Sequence, residues 1–107
     1  MERYGQVIRV KPEMLEKYKA LHAAPWPEVN AMIKACNIEN YSIFHRDGYL
    51  FACFEYVGDN YAADMAKMAA DPVTQKWWDE CMPCQNPVES ASKGEWWANM
   101  DEVYHLD

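Results

Sequence analysis

Positive charge is scarce in this chain: ten basic residues stand against seventeen acidic ones, a net charge of −7. Arg3, Arg9 and Arg46 are its arginines. Nucleic acids are held by clustered Lys and Arg, so they are excluded as partners. The chain also lacks a GxGxxG, a GxxxxGK and any arginine cluster, and so has nothing to cradle a phosphate or a dinucleotide. A ligand, if there is one, is neutral. No segment approaches the roughly 18 apolar residues that cross a bilayer, and Met1 to Gly5 carry charge where a signal peptide would be apolar. The expectation is a soluble, cytoplasmic protein without a membrane partner.

Reactive groups are equally sparse. Cys81-Met-Pro-Cys84 has neither a second CxxC nor an HxxxH to complete a zinc site. Cys81 falls at the end of a helical segment, where the dipole disfavours a thiolate, so a redox pair is not expected either. No metal and no cofactor are implied. No serine or cysteine is spaced to work with a histidine, and no pair of carboxylates declares itself. Proton transfer by histidine and tyrosine is the chemistry left.

What the chain has in excess is aromatic surface: five tryptophans and seven tyrosines, with doublets at Trp77-Trp78 and Trp96-Trp97. At 107 residues it forms one domain, residues 1–107, with one core. "YGQVIRV" (residues 4–10) reads as a strand. Pro12 opens a helix whose apolar stripe of Met14, Leu15, Tyr18, Leu21 and His22 places Tyr18 and His22 on one face. Pro25 and Pro27 break that helix and set Trp26 at a bend beside His22. "IENYSIFHR" and "YLFACFEY" (38–46 and 49–56) are strands joined by an Asp47-Gly48 hairpin turn. Tyr61 to Ala70 and Pro72 to about Cys81 are helical, residues 82–93 form the longest loop, and residues 94–106 read as a final strand. The order β-α-β-β-α-β predicts an α+β, ferredoxin-like fold with a four-stranded antiparallel sheet. Residues 49–56 carry bulky groups on both faces, which implies that a second copy or a deep cleft covers the face the helices leave open; a homodimer through the sheet is the economical expectation.

Three histidines could transfer protons. His45 and His105 have no partner readable from spacing, whereas the helix of His22 delivers the Tyr18 hydroxyl to it and the bend brings Trp26 near. Even so, a lone histidine on an apolar helix face more often serves the core. Trp77 and Trp78 lie about 100° apart on their helix, so at most one can point squarely into the core. The other is available to a cleft, where an aromatic face and tyrosine hydroxyls can hold a neutral polyol.

"YKALHAAPWPEV", "NYSIF", "LFACFE", "DPVTQKWW" and "EVYHLD", in this order across nearly the whole chain, resemble the L-rhamnose mutarotases. The resemblance implies a dimeric α/β-barrel type of the ferredoxin-like fold that interconverts the α and β anomers of L-rhamnose without metal or cofactor. It implies a catalytic, proton-transferring His22, and sugar contacts from Tyr18, Tyr41 and the Trp77-Trp78 pair; the bend adds Trp26 to the substrate-binding candidates. Tyr41 enters through the resemblance alone. Tyr56 to Lys76 and the loop at Pro83-Cys84-Gln85 depart from the family pattern, so L-fucose or another 6-deoxyhexose stands beside L-rhamnose as the implied monosaccharide. The expected mechanism has His22 as the acid on the ring oxygen and, in reverse, as the base. Two other classes share these features: a cofactor-independent monooxygenase-type enzyme acting on an aromatic substrate, and a non-catalytic sugar-binding module.

Overall fold

The computed structural model describes all 107 residues. Strand β1 (Glu2–Val10) leads through a 3-10 turn at Pro12–Met14 into helix α1 (Leu15–Ala23). Pro25 and Pro27 cannot donate to a helix, and each restrains the residue before it. Ala24 accordingly leaves helical geometry at φ −133°, ψ 66°, and Trp26 is extended at φ −74°, ψ 127°. Helix α2 (Pro27–Ala35) restarts on Pro27. Strands β2 (Ile38–Arg46) and β3 (Tyr49–Tyr56) form the expected hairpin, with Asp47 and Gly48 at φ 53° and 82°, the left-handed pair that a two-residue turn requires.

Helix α3 (Tyr61–Ala69) is capped by Asn60, whose side chain accepts from the Ala63 N–H at 3.1 Å. Helix α4 (Pro72–Cys81) is capped by Asp71, which accepts from the N–H and hydroxyl of Thr74 at 2.9 and 2.8 Å. The antiparallel sheet runs β2-β3-β1, and two short strands, β4 (Gln85–Asn86) and β5 (Ala98–Met100), share the remaining edge of β1. The fold class is as expected, but the last strand is not one piece. Gln85 and Asn86 pair with Val10 and Arg9, the chain then leaves the sheet, and residues 98–100 return to pair with Val7 to Gly5. Pro87 has no N–H with which to extend β4, so residues 87–97 swing outward. Residues 101–107, expected as strand, are exposed and irregular.

The helices cover one face of the sheet. There Ile8, Val10 and Leu50 pack with Tyr18, Val29, Trp77 and Cys81, Phe54 and Tyr56 form a second cluster with Ile38, and Ala52 and Thr74 are buried as well. Fully buried residues such as Ile8 and Leu50 each contribute about 1.5–3 kcal/mol. Phe44, Tyr49, Phe51, Cys53 and Met100 are all exposed on the other side of the molecule.

Beyond β3 the chain turns through a polar knot. The Tyr56 hydroxyl donates to Asp64 and accepts from the Asn60 N–H, while Asn37 Nδ2 donates to Asp64 at 3.0 Å. A Cβ on Gly58 would lie 2.7 Å from Tyr56 Cζ and 2.8 Å from Asn37 Nδ2, too close for either to stay in place. Gly58→Ala is therefore expected to cost about 1–3 kcal/mol, read as a lower urea midpoint at unchanged m-value; an unchanged midpoint would mean that the knot relaxes freely.

Candidate active site

Helix α1 ends one residue after His22, which places the imidazole at a rim of the helical layer. Its Nδ1 lies 2.8 Å from the backbone carbonyl of Tyr18. A carbonyl only accepts, so Nδ1 carries the proton and Nε2 of the neutral ring is the free acceptor. Burial lowers the pKa of His22 below its ordinary value; the bond to the Tyr18 carbonyl opposes this and is the smaller effect. The ring stacks on Tyr18 at 4.1 Å and meets Trp77 edge-on at 5.2 Å.

These residues line a cavity of about 550 Å³ between the helices and the sheet, within the size range of small-molecule sites. Its walls are mostly apolar and aromatic, and neither lysine nor arginine reaches them. Tyr18 is buried, and its phenol is pushed well above the ordinary range by that burial and by the neighbouring Tyr41. It can donate a hydrogen bond but will not give up its proton. Trp77 is buried and Trp78 is 36 % exposed, so one packs inward and the other lies at the mouth, yet both line the cavity.

Tyr41 arrives by a different route. Glu39 pairs with Glu55, but Cys53 pairs with Ser42, so Asn40 and Tyr41 together face Phe54. This is a β-bulge, with Asn40 in the left-handed region at φ 50°. One extra residue reverses the alternation of side chains, and Tyr41 joins Phe54 and Ile43 in the cavity lining. Its ring lies 5.3 Å from that of Phe54; the residue as a whole is 41 % exposed, but its hydroxyl is shielded from water, which pushes the phenol up to about 12. A second recess shares His22, Tyr41 and Trp77 and continues to Asn30, Lys34 and Asn40 at the surface.

The bend makes Trp26 a substrate-binding candidate. It does not line the cavity; its ring meets the edge of Trp77 at 5.2 Å from behind. As the extended residue before Pro27 it caps α2, which turns its side chain onto the core. Several lining residues had no sequence signal: Gln6, Thr74 and Gln85 are ordinary polar residues until the fold brings them to the cavity and buries the latter two. Trp96 and Trp97 stand out as a doublet, but only the swing of residues 87–97 brings them to the cavity. Cys81 also lines the cavity, its thiol pushed up to about 12 by burial, while Cys84 is buried with Sγ 3.7 Å from the Glu80 carbonyl. His45 accepts from the Gly48 N–H, and His105 pairs with Asp107 on the exposed tail; neither is at the cavity.

One neutral histidine with a free Nε2, phenols that keep their protons and an aromatic cavity without cations make up a site for proton transfer on an uncharged small molecule. The chain belongs to the L-rhamnose mutarotase family, whose model matches residues 3–106. It is 33 % identical to an L-rhamnose mutarotase of Phocaeicola vulgatus, with both chains covered in full, and 37 % identical to one of Listeria monocytogenes serotype 4b over 99 % of each. Among solved structures, an L-rhamnose mutarotase of Formosa agariphila superposes with a TM-score of 0.79 at 23 % identity, covering all of both chains. Tetracenomycin F2 cyclase of Streptomyces glaucescens, a type-II polyketide cyclase, follows at 0.71 and 14 %, covering 100 % of this chain and 98 % of its own. At these identities both speak for the fold alone.

Nitrogen-15 NMR of the His22 ring at pH 7 is expected to give a protonated Nδ1 and an unprotonated Nε2, titrating below the ordinary histidine range. An Nε2–H tautomer would contradict this reading of the site.

Proposed function

We propose that the protein is an isomerase that interconverts the α and β anomers of L-rhamnose, or of a close 6-deoxyhexose such as L-fucose, within the single domain of residues 1–107. The observation that carries this is the neutral imidazole of His22 set in a cation-free aromatic cavity, and family membership supports the choice of sugar.

The reaction is a proton relocation. Nε2 of neutral His22 takes the proton of the anomeric hydroxyl O1 as the C1–O5 bond breaks and a C1=O1 carbonyl forms. The imidazolium then delivers that proton to O5, giving the open aldehyde. After rotation about C1–C2 the steps reverse onto the other face. O1 and O5 are both bonded to C1, so one ring nitrogen facing C1 can serve both. This ordering differs from the expectation that His22 starts as the acid: burial keeps it uncharged at neutral pH, so it begins as the base. Tyr18 donates to a sugar oxygen, Tyr41 binds a ring hydroxyl, and Trp77 and Trp78 pack on the apolar face and methyl group of the sugar. Positioned proton transfer of this kind contributes about 10²–10⁴-fold.

Saturation-exchange NMR of the anomeric protons tests this, with L-rhamnose, L-fucose and D-glucose compared. The native protein is expected to accelerate exchange for a 6-deoxyhexose, and His22→Ala to lose about a hundredfold or more. The native rate should stay level above the His22 pKa and fall as pH drops through it, because the protonated ring cannot act as base. No acceleration with any sugar would remove the mutarotase reading; an equally active His22→Ala would remove His22 from its role.

We further propose a homodimer through the exposed sheet face, supported by Phe44, which is 63 % exposed, and by Phe51, Tyr49 and Met100 beside it. Sedimentation should give twice the chain mass, and Phe44→Asp with Phe51→Asp should give a monomer in which exposed Cys53 labels quickly with a thiol reagent. A native monomer would rule the interface out.

A further inference from the structure

Gln85 is 4 % exposed, lies on β4 and lines the cavity, although nothing in the proposed mechanism so far uses it. Its Oε1 accepts from Trp96 Nε1 at 2.9 Å, and its Nε2 lies 3.4 Å from the Tyr18 hydroxyl. An amide oxygen and nitrogen look alike in shape, but here chemistry assigns them: an indole N–H only donates, so the atom it meets is the oxygen. The nitrogen therefore faces Tyr18, and it can only donate. The phenol oxygen of Tyr18 must then accept, which leaves the O–H hydrogen free to point elsewhere. Tyr18 lines the cavity.

We propose that Gln85, locked in orientation by Trp96, is a positioning residue that fixes the Tyr18 hydroxyl as a hydrogen-bond donor toward the sugar. The inference rests on the mutarotase reading. Its consequence is polarity. As C1–O5 breaks, negative charge grows on the ring oxygen until the proton arrives, and a donor aimed there stabilises that charge, whereas an accepting phenol would repel it. Without Gln85 the hydroxyl could turn toward any acceptor, and its favourable orientation would be one among several. The sequence stretch "MPCQNP" reads as loop, but the short pairing of Gln85 and Asn86 with Val10 and Arg9 fixes its backbone, and the bond from Trp96 then orients the side-chain amide.

The test is Gln85→Glu. The carboxylate has nearly the same shape and still accepts from Trp96, but its second oxygen accepts from Tyr18 and draws the phenol hydrogen away from the sugar. The expected result with L-rhamnose is a loss of about tenfold or more in kcat, with KM within about twofold, since the interaction serves the developing charge. Trp96→Phe keeps the ring and removes the lock, and is expected to lose less. In a Tyr18→Phe background Gln85→Glu should cause no further loss, because there is no hydroxyl left to orient; a merely structural role would cost the same in both backgrounds. Unchanged kcat in Gln85→Glu, or equal losses in the two backgrounds, would overturn the proposal. The network also has a readout without turnover. In the sugar-free protein the Trp96 indole N–H should exchange slowly with solvent, and quickly in Gln85→Leu. Slow indole exchange in a native protein that accelerates no sugar would remove the mutarotase reading while leaving the Gln85–Trp96 lock; fast indole exchange in the native protein would remove the lock itself.

Discussion

The hydrogen bond from His22 Nδ1 to the Tyr18 carbonyl joins a residue to the backbone of its own helix, one turn back, and the site is arranged around it. Because both partners belong to α1, their geometry does not depend on how the helix packs. The bond selects the tautomer and thereby leaves Nε2 as the acceptor. It also sets the ring flat against Tyr18, so the two groups that face the cavity from α1 move as one unit. The prolines at 25 and 27 complete the arrangement: had the helix continued, the next turn would have covered the histidine. Trp77, braced from behind by Trp26, then closes the remaining side edge-on.

An unpaired buried cation or anion is costly, and the cavity avoids that cost by containing almost none. Glu95 is the carboxylate among the lining residues, and it is occupied by the backbone N–H groups of Ser92 and Asn99, which hold its pKa low. The remaining polar groups are hydroxyls, amides and one neutral imidazole. Such a set suits a polyhydroxylated neutral ligand, whose hydroxyls need donors and acceptors but no counter-charge. The chain's net negative charge agrees with this, since it would repel an acidic sugar phosphate before any contact formed.

Much of this was readable in the residues because it depends on local chemistry. Proline placement set the helix boundaries, Asp47-Gly48 set the hairpin, and spacing of four put Tyr18 and His22 together. What could not be read depends on register or on distant pairing. In a regular β2, Tyr41, three residues past buried Ile38, would fall on the face opposite to it; the bulge at Asn40 reverses this, and a single asparagine in a polar-aromatic strand does not announce a bulge. The excursion of residues 87–97 from the edge of β1 was invisible for a similar reason. Pro87 signals an interruption but not a return to the same strand, so the burial of Gln85 and the approach of Trp96 had no local cause. The bend at Trp26 is local and legible, whereas the packing of its ring against the core and Trp77 depends on distant elements.

The same burial that suits His22 to the base role proposed for it also bears on stability. In the folded protein its pKa lies below the ordinary value, which the unfolded chain regains. Between the two values the unfolded chain binds the proton and the folded one does not, so acid favours unfolding there. The stability this group allows is therefore intact above its unfolded pKa and is lost as pH falls toward the folded one. In the proposed mechanism activity would fall over the same side of the titration, for the separate reason that Nε2 must be unprotonated to accept. A carboxylate set beside the imidazole would raise its pKa, which would weaken the stability dependence but move the loss of the base to higher pH, place an anion in the cavity and start His22 as the acid instead. The absence of such a partner is thus consistent with a site that begins each cycle by removing a proton.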